Sequence, residues 1–249
     1  VFAKKDSIAI DIITQKIIQL IKHLNITNSG NKDTIPSKAV GVTRHGSSGP
    51  EISYSEGMLG VALHELGHAI QYPRVSEDGK WDNSPLAKED QKFEPSKSLN
   101  NELSNMKFPY VDTKSSSECF ADVFKFYSNP RTFLHLKYGA PKTFQTAKEL
   151  FGNSPFDIEV GDLTKDFIEQ SSKLGLVGNF KRLNAMGYSR DVLYEIDDLI
   201  LPSSNLNDAF TKKEISNFGS RINMAEKLLK ENKPNTKKMQ QNESLKQDS

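Results

Sequence analysis

The chain alternates between segments with helical periodicity and polar connections rich in glycine, serine or proline. Apolar residues recur every three or four positions from Ser7 to Leu24, which predicts an amphipathic helix. Two short apolar runs, Ala39–Thr43 and Ile52–Tyr54, predict strands, because the glycine- and serine-rich turn 46–49 lies between them. A broad apolar stripe then predicts a nearly buried helix from Ser55 to Gln71. Its glycines weaken helix propensity, so we expect them to allow a neighbouring element to approach closely.

A polar stretch with three prolines, Tyr72–Asn105, follows this helix. Unstructured connections of that length are uncommon inside compact domains and are usually functional lids or disordered segments, so a lid, an exosite and a mobile segment are the alternatives here. Helical patterns resume at Ser115. The helices predicted from there on cover 115–127, 130–139, 142–151, 166–175, 179–186 and 190–201, and Thr211 with Glu214 has the form of a capping box for one more.

These elements predict a mostly helical α+β fold with a small antiparallel or mixed sheet. We expect a first domain over residues 1–152 that carries the sheet and the apolar helix. A helical lobe follows over 153–229, and a polar tail over 230–249, where apolar residues almost disappear.

Composition narrows the function classes. The chain has 249 residues and a formal net charge of +1, which argues against nucleic acid or an anionic membrane as the main partner. No stretch approaches the ~20 consecutive apolar residues of a membrane span. A single cysteine excludes an intrachain disulfide and a cysteine-based zinc finger. Because the sequence begins with Val1 and not Met, we expect a trimmed or processed fragment.

Candidate chemistry lies in the apolar helix, where residues 64–68 read His-Glu-Leu-Gly-His. Histidines four positions apart on a helix lie on one face, about 6 Å from each other, so His64 and His68 can bind one metal ion. Glu65 is placed to accept a proton from water at that metal. A surface helix with two unliganded histidines is the plain alternative, but burying such a pair without partners would be costly.

A catalytic zinc site needs a third protein ligand and one open position. Histidines outside the motif are weak candidates, since His23 is predicted on the first helix, His45 in a turn and His135 late in a helix. Glu118 is the better candidate, because it lies beside the apolar stripe of the next helix.

Asp122 lies four residues further on the same face as Glu118 and can accept the outer N–H of His64. A first-turn acidic pair that favours the helix dipole is the alternative for Glu118 and Asp122. Cys119 is rotated by about 100° towards the apolar side, which favours a buried, inert thiol over a ligand.

Taken together, His64-Glu65-Leu66-Gly67-His68 and Ser117-Glu118-Cys119-Phe120-Ala121-Asp122 resemble the motifs of the gluzincin metallopeptidases. The 49 residues between His68 and Glu118 make a longer gap than in thermolysin, so the chain looks closer to the catalytic domain of anthrax lethal factor and related bacterial proteases, whose Glu-x-Phe-Ala segment with a further Phe resembles Glu118, Phe120, Ala121 and Phe124. The resemblance covers about residues 52–144 and implies a zincin-like domain with an active-site helix.

For the site, the resemblance implies a zinc ion bound by His64, His68 and Glu118, with Glu65 as general base and Asp122 orienting His64. A tyrosine before the glutamate binds the oxyanion in that group, and Tyr110 is the nearest tyrosine here.

The implied substrate is a protein or peptide in extended conformation, aligned on an edge strand that Ile52–Tyr54 would form. A secreted bacterial toxin or effector that enters the host cytosol and cuts a specific host protein, cytoskeletal proteins included, is implied by analogy. Two other functions stay open from the residues alone: a zinc-bearing module that binds a partner without cutting it, and a zinc amidase acting on a non-protein substrate such as peptidoglycan.

Overall fold

A computed structural model of the chain describes residues 25–28, 41–46, 49–54, 59–75, 80–82, 84–107, 111–200 and 212–234. Within these ranges the fold is mostly helical α+β, as predicted, with eight α-helices and two small sheets. The helix expected over Ser7–Leu24, the candidate Tyr110 and the tail beyond residue 234 lie outside the described residues.

The first sheet has three strands and is mixed. β2 (Gly41–Gly46) and β3 (Gly49–Tyr54) form an antiparallel hairpin, and β1 (Asn25–Asn28) pairs in parallel with the other side of β3. The predicted strands are confirmed, but Ile52–Tyr54 lies in the central strand and not at an edge. The expectation that this segment aligns an extended substrate is therefore wrong, because its backbone groups already pair with a strand on each side.

The helix predicted from the apolar stripe is α1 (Leu59–Ala69), and it packs on the hairpin. The segment after it holds a two-stranded sheet, β4 (Arg74–Val75) with β5 (Trp81–Asp82), then a 3-10 helix over Glu89–Phe93 and α2 (Ser98–Ser104). Four short elements thus lie within the stretch 72–105, for which the sequence predicted no helix or strand, and its role as a lid or exosite stays a prediction.

Three helices with short connections form the centre of the fold: α3 (Ser116–Ser128), α4 (Pro130–Gly139) and α5 (Pro141–Phe151). Their starts agree with the sequence within one residue. Ser115 caps α3 and Asn129 caps α4, with Pro130 at the first helical position. Between these helices lies a cluster of aromatic rings whose centroids are 5–6 Å apart, formed by Phe120, Phe124, Tyr127, Phe133, Phe144 and Phe151.

The C-terminal helices pack against this centre. α6 (Asp162–Ala185) joins two predicted helices across a kink at Gly175, whose φ of 71° interrupts the helix at the predicted break. α7 (Arg190–Ile200) and α8 (Lys212–Glu231) complete the fold. Buried residues of α6, α7 and α8 belong to the same hydrophobic cluster as those of α3 and α4. The boundary expected near residue 152 stays a prediction.

Within the described ranges, no helix combines the length and apolar character that crossing a membrane requires.

Glu226 of α8 holds the start of α6. Its Oε2 accepts the backbone N–H of Thr164 at 2.9 Å, and its Oε1 lies 3.3 Å from the Lys230 ammonium. A Cβ added to Gly161 would lie 2.2 Å from the Glu226 Cδ, so the carboxylate occupies the space a side chain there would need. Although burial raises the pKa of Glu226, its bonds to Thr164 and Lys230 outweigh this, and the pKa is lowered overall.

We therefore predict that Glu226→Gln destabilises the fold by about 1 kcal/mol, or about 3 °C in melting temperature. The control, Glu231→Gln, removes only an exposed pair with Lys227 and should leave the melting temperature unchanged. The pKa of Glu226 is lower in the folded state than in the unfolded chain. Its contribution to the free energy of unfolding is therefore present above the ordinary glutamate pKa and is lost as pH falls through the lowered value. The two variants should thus differ at pH 7 and converge in acid, and a difference that persists at pH 2 would contradict this explanation.

Candidate metal centre

The site forms where α1 crosses α3. A Cβ added to Gly67 would lie 2.7 Å from the Cα of Ala121 and 3.2 Å from its Cβ, so only glycine fits at this position of α1. The expected close approach is confirmed at Gly67, whereas a Cβ at Gly60 would meet nothing closer than Lys125 Cδ at 3.9 Å. This crossing brings the first turn of α3 next to the histidines of α1.

Three predicted ligands come together there. The Nε2 atoms of His64 and His68 lie 3.2 Å apart, Glu118 Oε2 lies 3.0 Å from His64 Nε2, and Glu118 Oε1 lies 3.5 Å from His68 Nε2. Ligand atoms bound tetrahedrally to zinc at 2.0–2.2 Å are about 3.4 Å apart. His64, His68 and Glu118 are therefore close enough to hold one metal ion.

The partners of the histidines decide which nitrogens face the centre. His64 Nδ1 lies 2.9 Å from Asp122 Oδ1, and His68 Nδ1 lies 3.2 Å from Ser117 Oγ. A carboxylate only accepts, so His64 carries its hydrogen on Nδ1 and directs the Nε2 lone pair at Glu118. Two lone pairs 3.0 Å apart repel each other unless a metal ion or a further proton lies between them.

Asp122 is nearly buried, with 4% of its side chain exposed, yet fully paired. Oδ1 accepts from His64 and from the Lys125 ammonium, and Oδ2 accepts the Asp112 backbone N–H at 2.9 Å. Burial raises the pKa of Asp122, but the bonds to His64 and Lys125 lower it overall. For His64, burial lowers the pKa, but the bond to Asp122 outweighs this and the pKa is raised overall. For His68, burial has the largest effect and the pKa is lowered.

The other residues singled out from the sequence lie at different depths and distances from the cluster. Glu65 is buried and bonded to Thr43 of β2, and Glu118 is 44% exposed, so one side of the cluster faces solvent. Cys119 is fully buried, as expected, and burial raises its pKa to about 12. His135 is buried beside Ser172, away from the cluster, and His45 lies in β2 opposite Pro50.

Three contributors escaped the sequence analysis: Thr43, Ser117 and Lys125. Lys125 stands three residues after Asp122, and helical spacing alone could have paired them. Ser117 adjoins Glu118, but its contact with His68 depends on the crossing angle of two helices. Thr43 belongs to a strand, and no spacing rule connects it to Glu65.

Comparison of the chain with protein-family models, curated proteins and solved structures found no match. A function for this chain is therefore inferred from the residues of the site and their chemistry.

The two glycines of α1 give a matched test of the crossing. We predict that Gly67→Ala forces α1 away from the α3 backbone, which separates Glu118 from the histidines and lowers both stability, by about 1–3 kcal/mol, and metal affinity. Gly60→Ala should bind metal normally and be slightly more stable, since alanine favours a helix by about 1 kcal/mol over glycine. Calorimetric zinc titration with thermal melting checks this, and equal behaviour of the two variants would contradict it.

Proposed function

We propose that this chain is a zinc-dependent endopeptidase of the gluzincin type, which hydrolyses a peptide bond in a protein substrate. The observation that carries the proposal is the convergence of His64, His68 and Glu118 from two helices, with Glu65 between the histidines in sequence. The motif resemblance, which the same residues carry, supports the same conclusion.

Zinc is the proposed metal because of the donor set. Two imidazole nitrogens and one carboxylate oxygen, with the fourth position open, are typical of catalytic zinc, and the partly exposed Glu118 leaves room for that position. When bound, zinc supplies a Lewis acid that polarises a carbonyl and makes water a nucleophile near neutral pH.

The protein's own groups then have separate roles. Glu65 takes a proton from the attacking water at its carboxylate and passes that proton to the leaving amine. Asp122 holds His64 in the tautomer that presents Nε2, and Ser117 holds the His68 ring in place through its Nδ1. For the oxyanion, Tyr110 stays the candidate that the motif resemblance implies.

The substrate is proposed to be an extended segment of a protein. Among the described strands β2 pairs only with β3, so we propose its outer edge for an added strand, and β2 contacts Glu65 through the Thr43 side chain. The resemblance alone carries the further expectation of a secreted bacterial effector that cuts a host protein in the cytosol.

The decisive experiment combines metal content with proteolysis. Mass spectrometry of the purified chain should find about one zinc per molecule, and incubation with a host-cell lysate should create new peptide termini that a chelator prevents. Zinc without new termini would instead favour a binding module or, if cell-wall material is cut, an amidase. A chain that cannot take up zinc would overturn the proposal.

The ligand role of Glu118 gives one prediction. Glu118→Gln replaces the carboxylate ligand with a weaker amide ligand. Substituting a residue that only hydrogen-bonds to a metal ligand typically lowers metal affinity by roughly 10–100-fold, so the loss of zinc affinity in Glu118→Gln should be larger than that. Glu159→Gln, at a 95% exposed glutamate, is the control and should keep full affinity. Equal affinities in a chelator competition assay would remove Glu118 from the ligand set.

The base role of Glu65 gives another. Glu65→Gln should retain zinc but lose hydrolysis by about 10²–10⁴-fold, because the amide cannot take up the proton of water. Zinc content measured on the same sample separates this effect from loss of the metal. Undiminished turnover would show that another residue is the base.

A further inference from the structure

The Glu65 carboxylate lies against a specific part of the sheet. Only 7% of the residue is exposed, and its neighbours are Gly41 and Thr43 of β2. Side chains two positions apart on a strand point to the same face, so both residues of β2 face α1. We refer to Gly41 and Thr43 together as the base cradle.

The two residues of the base cradle contribute in different ways. Thr43 Oγ1 lies 2.7 Å from Glu65 Oε2, within reach of a hydroxyl-to-carboxylate hydrogen bond. Gly41 contributes space, because a Cβ there would lie 2.7 Å from Glu65 Oε1 and 2.8 Å from its Cγ. The carboxylate therefore has one oxygen engaged by Thr43 and the other beside a position without a side chain.

We propose that Thr43 is a positioning residue for Glu65, whose hydroxyl fixes the carboxylate so that Oε1 is the oxygen that receives the proton of water. This inference depends on the proposed function, since it assigns an orientation to the proposed base. Thr43 lies on β2, whose outer edge we propose for the substrate. The hydroxyl that orients the proposed base therefore belongs to the strand that would align the substrate.

A purely architectural role is the alternative, because Thr43 Oγ1 also lies 2.8 Å from the backbone oxygen of Glu65. One hydroxyl hydrogen cannot serve both acceptors fully. If the backbone contact alone mattered, Thr43 would simply fasten β2 to α1, and the identity of residue 65 would make no difference to it.

The test uses Thr43→Val, which keeps the shape and loses the hydroxyl, and Thr43→Ser, which keeps the hydroxyl. We expect Thr43→Val to retain zinc affinity, to lower kcat about 10-fold with little change in KM, and Thr43→Ser to restore most of the loss. Thr43→Val should also lower the melting temperature of the zinc-loaded protein by about 4 °C, and by clearly less when Glu65→Ala is already present.

The melting temperatures do not depend on activity. An equal loss with and without the Glu65 carboxylate would overturn the inference, because Thr43 would then act only through the backbone. Loss of zinc affinity in Thr43→Val would overturn it as well, since the hydroxyl would be supporting the metal ligands. Failure of the proposed function would look different: the wild-type chain would bind no zinc or cut no protein, whatever residue occupied position 43.

Discussion

Close contact between two helices is the constraint on which the site depends. The Cα of Ala121 lies where a side chain at position 67 would project, so α1 and α3 meet almost backbone to backbone. Glu118 stands three residues before Ala121 and His68 directly follows Gly67, so the contact and the cluster share one turn of each helix. A bulkier residue at position 67 or 121 would push the two helices apart. It would thereby separate Glu118 from the histidines without contacting any of these side chains.

α3 supplies both the acid of the cluster and the groups that orient the histidines of α1. Ser117, Glu118 and Asp122 all face α1, and the rest of the helix is anchored by buried residues such as Phe120 and Val123. A single rigid element therefore sets the position of Glu118, the orientation of both imidazole rings and the tautomer of His64, which reduces the reorganisation that metal binding would need.

Local signals predicted the helices well, because caps, prolines and apolar spacing act within a few residues. Asn129-Pro130 and the break at Gly175 are of this kind. Pairing order in the sheet is a long-range property, so Ile52–Tyr54 was recognised as a strand but wrongly expected at an edge. The stretch 72–105 looked irregular because its core residues, Phe93 and Leu103, are isolated in sequence and become buried only in tertiary packing. The role of Thr43 was not predicted for the same reason, since its contact with Glu65 joins a strand to a helix and exists only in the tertiary structure.

The candidate metal ligands and the proposed base are held by different parts of the fold. The three candidate ligands belong to α1 and α3, whose relative position is fixed by the helix crossing, whereas the orientation of Glu65 is set from β2. Glu65 is the one residue of the proposed chemistry that shares a helix with ligands and takes its hydrogen bond from the sheet. Changes in the sheet can therefore alter the base while the ligands stay in place, but changes at the crossing must alter both, since α1 carries the base as well as two ligands. The helix contact thus positions the candidate ligands and the proposed base together, and β2 acts on the base alone.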